Sequence, residues 1–401
     1  MEEVQEVEEV EEVRASGEGE ASRKCDSLTL TRQPYFSATT FRLRHFHFFH
    51  FFHFSTFLLL ASLVPATAGQ LARPAIMAVD SSVAIDRTRT STGDESSAIT
   101  MDAVMSMGVG GNFEAILRPW VQKSPTGEWN RQVWVAALRY ERPGAIGLRV
   151  DAGLIPSPIG MSNMLLRPQL NANISLPASL FQGLPPVEPG APRLTLLGAV
   201  YAYGANASLS GRHWDARAAI IDTSPLRTRR IFAQTNPPRF NNVVAGGGFT
   251  PFAGLRVGGS VTHGGWERAG ESPTITQNRD ATVVTVESEV AFRYSRVIGE
   301  WVRDSIETGA ENVVASGWFV IGQQTLTPRW FAAMRVERMT SPAVTLTGTF
   351  AQSLDGFEET LGFRLTPELT LRAGHRARRI FGRSTFDQQV AVSAVWWRRW
   401  N

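Results

Sequence analysis

Across Phe386 to Trp400 the residues alternate between apolar and polar. One parity carries Val390, Val392, Ala394, Trp396 and Trp400, and the other carries Asp387, Gln389, Ser393 and Arg399. Val395 and Trp397 break the pattern by falling on the polar parity. Successive side chains of a strand point to opposite faces, so this segment reads as a strand with an apolar, aromatic-ended face and a mainly polar one. Lipid on one side and water on the other would produce that pattern. The same period predicts strands over 112–122, 129–141, 147–155, 194–209, 212–222, 242–250, 254–264, 281–293, 296–305, 312–326, 329–339, 357–365, 368–379 and 386–397. That is fourteen, and the stretch 76–108 has room for two more, which would make sixteen. Strands of about 10 residues cross a bilayer when tilted. No run after residue 68 has the length and apolarity of a transmembrane helix.

The turns sharpen this picture. Ser124-Pro125-Thr126-Gly127 joins two alternating segments and reads as a hairpin. Thr250-Pro251, Thr327-Pro328 and Thr366-Pro367 recur at strand junctions in similar contexts. Proline fixes φ and removes a ladder donor, so it belongs in a turn and not inside a sheet. Counting strands back from the C-terminus puts all three Thr-Pro pairs at one end. The longer connections 156–193, 223–241, 265–280 and 340–356 fall at the other. Short turns at one end and long loops at the other are the pattern of a transmembrane barrel. A soluble β-sandwich is the rival, but it would place aromatics in mid-strand. Here Trp120, Trp129, Trp301, Trp330, Trp396 and Trp400 gather near predicted strand ends, as in interfacial girdles.

The chain has 401 residues, and its beginning differs from the rest. Residues 1–40 open with Glu-Glu-Val repeats and read as a disordered acidic extension, which would fit a start placed too far upstream. Residues 41–68 have the order of a secretory signal: Arg42 and Arg44, an apolar run from Phe46 to Val64, then Pro65-Ala66-Thr67-Ala68. Cleavage is expected after Ala68, and an uncleaved anchor is the alternative reading. Residues 69–108 would supply extra strands or a plug, and 109–401 the barrel. Cys25, the single cysteine, lies in the part expected to be lost, so no disulfide or thiolate metal site is expected. Removing a segment with 6 basic and 10 acidic residues raises the formal charge from +3 to about +7. Lys123 is the sole lysine after residue 68, so that charge rests on arginine.

From about residue 110 onward the sequence resembles a bacterial outer-membrane porin-type barrel. Leu365 to Gly374 (Leu-Thr-Pro-Glu-Leu-Thr-Leu-Arg-Ala-Gly) is similar to the periplasmic turns of many outer-membrane proteins. Asp151 to Gly160 resembles the strand-to-loop element of phosphate-selective-type porins, and the aromatic last strand is the third likeness. The chain departs from the pattern by ending in Asn401 after Trp400 and by its scarcity of lysine. The resemblance implies an all-β, antiparallel, up-and-down barrel in the bacterial outer membrane. It also implies passive diffusion of small polar solutes through a water-filled interior, and the mixed inward charges point to a slight preference for anions. Outer-membrane lipid and lipopolysaccharide are the implied surroundings, and a homotrimer is one assembly open to it. A non-conducting structural or adhesive barrel is the alternative.

In a barrel this wide the chemistry lies in inward side chains. Alternation assigns Arg149, Asp151, His213, Asp215, Arg217, Arg256, Glu287, Glu289, Arg293, Glu300, Arg335, Glu337, Glu358, Arg364, Arg372 and Arg376 to that face. A proline-rich connection at 156–193 is expected to fold inward and narrow the passage, with Arg167 as a filter charge. Arg227, Arg229, Arg230, Arg376, Arg378, Arg379 and Arg383 read as rim charges. His213, His263 and His375 stand apart in sequence, and no hydrolase, zinc-protease or phosphate-loop motif is present, which argues against an enzyme. No cofactor, metal or nucleic acid is expected.

Overall fold

The computed structural model describes residues 77–124, 126–198, 201–227, 240–345 and 348–400. The acidic extension, the signal segment, Cys25, Arg229 and Arg230 lie outside them. The described residues form sixteen strands: β1 Met77–Thr90, β2 Glu95–Gly110, β3 Phe113–Lys123, β4 Trp129–Arg142, β5 Gly147–Pro156, β6 Tyr201–Ser210, β7 Trp214–Ile221, β8 Asn242–Phe252, β9 Leu255–Glu267, β10 Arg279–Phe292, β11 Ser295–Ile306, β12 Val313–Thr325, β13 Trp330–Thr345, β14 Gly348–Arg364, β15 Leu369–Arg379 and β16 Asp387–Trp400. Each pairs antiparallel with its sequence neighbours, and β1 pairs with β16 from Val79 opposite Trp400 to Thr90 opposite Gln389. Closure leaves no unpaired sheet edge. The stretch 76–108 therefore supplies a hairpin, β1 and β2, and the count is sixteen.

Seven short turns lie at one end, among them Gly111–Asn112, Ala253–Gly254 and Arg293–Tyr294. At two of them a threonine organises the backbone. Thr327 Oγ1 accepts from the N–H of Arg329 (3.3 Å) and Trp330 (3.0 Å). Thr366 Oγ1 accepts from the N–H of Glu368 (3.2 Å) and Leu369 (3.1 Å). Thr250-Pro251 differs: it sits in a register shift at the end of β8, and Gly254, with φ 93°, makes the turn. A bulge tolerates the missing proline N–H as well as a turn does.

Two other expectations change. Residues 340–345 and 348–356 are strand and not loop. They extend β13 and β14 to 16 and 17 residues, which makes β14 the longest strand among those described. Residues 194–198 belong to the preceding connection and not to β6.

The outward parity is apolar and exposed, as at Val284, Val286, Val297, Val314, Val320, Val336 and Val392. Trp129, Trp301, Trp330, Trp396 and Trp400 are exposed with it. Trp120 is not part of that girdle. It faces inward, is buried, and stacks on Trp134 at 4.5 Å, which in turn stacks on Tyr201 at 4.9 Å. A register shift at Arg118/Pro119 accompanies this arrangement: Trp134 is the extra residue opposite, and both it and Val135 are buried.

Candidate functional site

The connection after β5 runs through the interior of the barrel. Its leucines and isoleucines Ile159, Leu165, Leu180, Leu184, Leu196 and Leu197 are buried, most of them against inward-facing wall residues such as Val283, Val302, Ala315, Met339 and Leu354. The wall also grips the connection's backbone. Glu300 Oε2 accepts from the N–H of Met161 (2.6 Å) and Ser162 (3.0 Å). Glu358 Oε1 accepts from the N–H of Ile174 (2.8 Å) and Ser175 (3.0 Å), and its other oxygen accepts from the Ser175 hydroxyl. Glu337 Oε2 accepts from the N–H of Ala178 (2.7 Å).

The arginines on the same wall take the carbonyls. Arg335 donates to Ser175 O (2.6 Å) and pairs with Glu358 (2.9 Å) and Glu337 (3.3 Å). Arg372 donates to the carbonyls of Asn171 and Asn173 (both 2.8 Å) and to the Ser393 hydroxyl (2.8 Å). Carboxylates thus meet N–H groups and guanidiniums meet C=O groups, so an irregular segment buried inside the barrel keeps its backbone satisfied. Farther round the wall, Arg167 crosses to Asp80 on β1 (2.9 Å) and Asp102 on β2 (3.4 Å). Glu188 meets Arg279 on β10 (3.3 Å), and the Gly160 N–H reaches Ser260 on β9 (3.1 Å).

A different set of charges borders open space. Arg149, Asp151, Asp215 and Arg217 line a cavity of about 570 Å³ along β5–β7, roofed by Ser157, Pro158 and Gly160. Asp151 accepts from Arg139 (2.7 Å) and Arg149 (3.0 Å). Arg256 joins Asp215 (3.0 Å) to Glu287 (2.8 Å), and Arg217 also reaches Glu287 (3.4 Å). Arg149 keeps 44% of its side chain exposed. Glu289 pairs with Arg296 at 2.7 Å near the short-turn end, both partly exposed. Arg376 bonds Gln389 and borders a small cavity of about 40 Å³ beside Ile174 and Ser175.

The sequence-assigned residues therefore separate into three groups. Arg149, Asp151, Arg217, Arg256, Glu289 and Arg376 face interior space, and Glu287 lies buried behind Arg217 and Arg256. Glu300, Arg335, Glu337 and Arg372 hold the inserted connection, as does Glu358. Arg293, Arg364 and His213 sit at the short-turn end. Arg293 is in the β10–β11 turn with φ 53°, its guanidinium 5.1 Å from the Phe292 ring centre, so it is a turn residue and does not line the interior. Arg364 donates to Pro328 O (3.1 Å) at the rim. His213 precedes β7 and its Nδ1 lies 3.0 Å from Thr250 O.

Alternation missed several partners, including Asp80, Asp102, Arg118, Arg139, Arg296 and Arg378. Arg118 pairs with Asp102 (2.8 Å) and donates to the Tyr201 hydroxyl (2.9 Å), and Arg378 pairs with Glu337 (2.7 Å). A signal for the filled interior was present in β12. Val313, Ala315, Phe319 and Ile321 share one parity, and Val314, Trp318 and Val320 the other. Apolar residues on both faces of a strand mark protein on both faces or protein opposite lipid.

No protein-family model matches the chain, and no curated protein matches it. Solved structures do share its fold. OmpF of Salmonella typhi, determined in complex with daunomycin, aligns with a TM-score of 0.55 at 11% identity, over 80% of this chain and 97% of that one. A loop-deletion mutant of OmpT, an outer membrane protein of Vibrio cholerae, aligns with a TM-score of 0.53 at 11% identity, over 81% and 100%. OmpT in a trimer form aligns equally well, with a TM-score of 0.53 at 10% identity.

Proposed function

We propose that this chain is an outer-membrane diffusion channel for small polar solutes, narrowed by its inserted connection. The observation that carries the reading is the pairing of an exposed apolar exterior with an interior that holds fixed charges beside open space. In water the exterior would be an aggregation surface, whereas in a bilayer it is the expected lipid face. The shared fold with outer membrane proteins supports the same location. The end with the short turns then faces the periplasm, and export through a cleaved signal at 41–68 completes the route.

The charges on β5–β10 would orient and concentrate ionic solutes as they pass. Arg149, Arg217 and Arg256 are each held by a carboxylate, so any preference for anions would be slight. Arg167, paired with Asp80 and Asp102, acts as a strut of the constriction more than as a free filter charge. Of the rim arginines, Arg227 is buried against Glu267 and Arg378 faces Glu337, so lipopolysaccharide phosphates are proposed as partners of the exposed Arg379 and Arg383; a homotrimer is the proposed assembly.

The test is conductance of the purified protein in a planar bilayer under a KCl gradient. Stepwise openings with a small reversal potential favouring chloride are expected. Silence from demonstrably folded protein would overturn the channel reading in favour of a closed structural barrel.

A further inference from the structure

The closed barrel has no free edge, but two of its strands outgrow it. β14 pairs with β15 only from Asp355 to Arg364, and β13 pairs with β12 only from Phe331 to Thr340. Beyond those limits residues 341–345 and 348–354 pair with each other alone, as a two-stranded ribbon at the end opposite the short turns.

One edge of the ribbon is closed. Val344 donates its N–H to Pro186 O of the inserted connection (2.9 Å), and Pro342 has no N–H to offer. These residues stand opposite Thr349 and Ala351 in an unbroken register. Antiparallel partners alternate between pairs that exchange two bonds and pairs that exchange none. Val344 points away from β14, so its pair with Thr349 is of the second kind, and so are Pro342 with Ala351 and Thr340 with Ser353. Thr349, Ala351 and Ser353 therefore aim their N–H and C=O groups at the other edge, along about 14 Å of β14. No described residue bonds these groups, and residues 348–351 are exposed.

Free strand edges are ordinarily guarded by lysine, proline, a bulge or a charge. The segment Gly-Thr-Phe-Ala-Gln-Ser-Leu at 348–354 has none of these, whereas the opposite edge has both a proline and a cover. Its side chains also suit a neighbouring strand. On one face of the ribbon Ser341, Ala343 and Leu354 are buried, but Phe350, opposite Ala343, is left 53% exposed. On the other face β14 carries the small Thr349, Ala351 and Ser353.

We propose that this edge takes up an extended segment of another polypeptide outside the cell, added to β14 as an antiparallel strand. The proposal rests on the membrane location argued above, which puts this end outside, and not on conduction. The edge itself defines the occupant. Donor and acceptor groups repeating every 7 Å or so are matched by a second backbone, and not by a lipid headgroup or a small solute. A bulky apolar side chain of the segment would lie beside Phe350, and small or polar ones beside Ala351. A second copy of this chain does not fit: two copies in one membrane hold β14 in the same direction, so their edges cannot meet antiparallel.

The probe is a fluorescein-labelled peptide of alternating valine and threonine with a lysine at each end. The full-length protein in mild detergent is expected to raise its anisotropy saturably. The same peptide with proline for every threonine should stay free. Ala351→Pro removes an edge donor and Thr349→Lys guards the edge. Each should weaken binding about tenfold or more, with heat-modifiable gel mobility unchanged. With Cys25→Ser, Gln352→Cys should form a disulfide with a peptide carrying a central cysteine, whereas Ala310→Cys, in the β11–β12 connection at the same end, should not. Absence of saturable binding by the parent would overturn the proposal, as would binding that both edge substitutions leave intact or that the proline peptide shares. So would a native mass of paired chains that Ala351→Pro separates, which would give the edge to a second copy. None of these readouts requires the barrel to conduct.

Discussion

The wall formed by β4–β9 and the wall formed by β11–β15 carry similar residues and use them differently. Both are rich in inward arginine and carboxylate. On the first, Arg149 pairs with Asp151, Arg256 pairs with Asp215, and Arg217 and Arg256 both reach Glu287 of the adjoining β10, beside open space. On the second, Glu300, Arg335, Glu337, Glu358 and Arg372 face the inserted connection and satisfy its backbone. The lesson is that inward charge in a barrel has two uses. A fixed charge beside water acts on solutes, and a fixed charge beside polypeptide acts as a hydrogen-bond clamp. Alternation along a strand cannot tell them apart.

The comparison can be broken most severely on the clamping wall. Arg335, with 1% of its side chain exposed, joins two carboxylates and the Ser175 carbonyl. Arg335→Ala would leave Glu337 and Glu358 partly uncompensated, a loss of about 3–5 kcal/mol for a buried network. Guanidinium unfolding of the reconstituted barrel should register it, together with noisy, enlarged openings as the connection loosens. Leu180→Ala tests the apolar half of the same anchorage. This fully buried side chain should cost roughly 2–5 kcal/mol on truncation, with a smaller rise in open-channel noise.

The open wall should behave oppositely. Arg256→Ala removes a cation shared by Asp215 and Glu287. It should move the reversal potential toward cation preference and cost about 1–3 kcal/mol, less than Arg335→Ala, because Asp215 is partly solvated and the buried Glu287 keeps Arg217 as a partner. Arg149→Gln should give the smallest effect, a slight cation-ward shift with unchanged unfolding. A large stability loss at Arg149, or an unchanged channel after Arg335→Ala, would erase the distinction between the walls.

How much of this was legible in the sequence follows from the range of the interactions. Strand period is local, so β3–β5 and β7–β16 stood out, and parity counting put the connections 156–193 and 265–280 opposite the short turns, while 340–356 was wrongly read as a loop. The hairpin β1–β2 was less distinct because Ser81, Ser96, Ser97 and Ser106 dilute its alternation. The facing of Glu300, Glu337 and Arg372 was legible too. Their work was not, because it depends on where residues 161–178 travel, and that path is set by contacts more than a hundred positions away in sequence. Trp120 misled for a related reason: an aromatic at a strand end is a girdle residue only if its parity points outward. In β12 the double apolar parity was a local hint that the interior is filled, beside the length and prolines of 156–193.

The central claim, that the connection after β5 lies inside a conducting barrel and narrows it, is tested most directly by comparing unit conductance with and without residues 161–190. Wild-type protein and the deletion would be reconstituted side by side in the same KCl solution, after gel mobility has shown both to be folded. The account predicts discrete openings in both, with a clearly larger unit conductance in the deletion. Equal conductance in the two proteins would contradict it, since an element that fills the interior cannot be removed without widening the path.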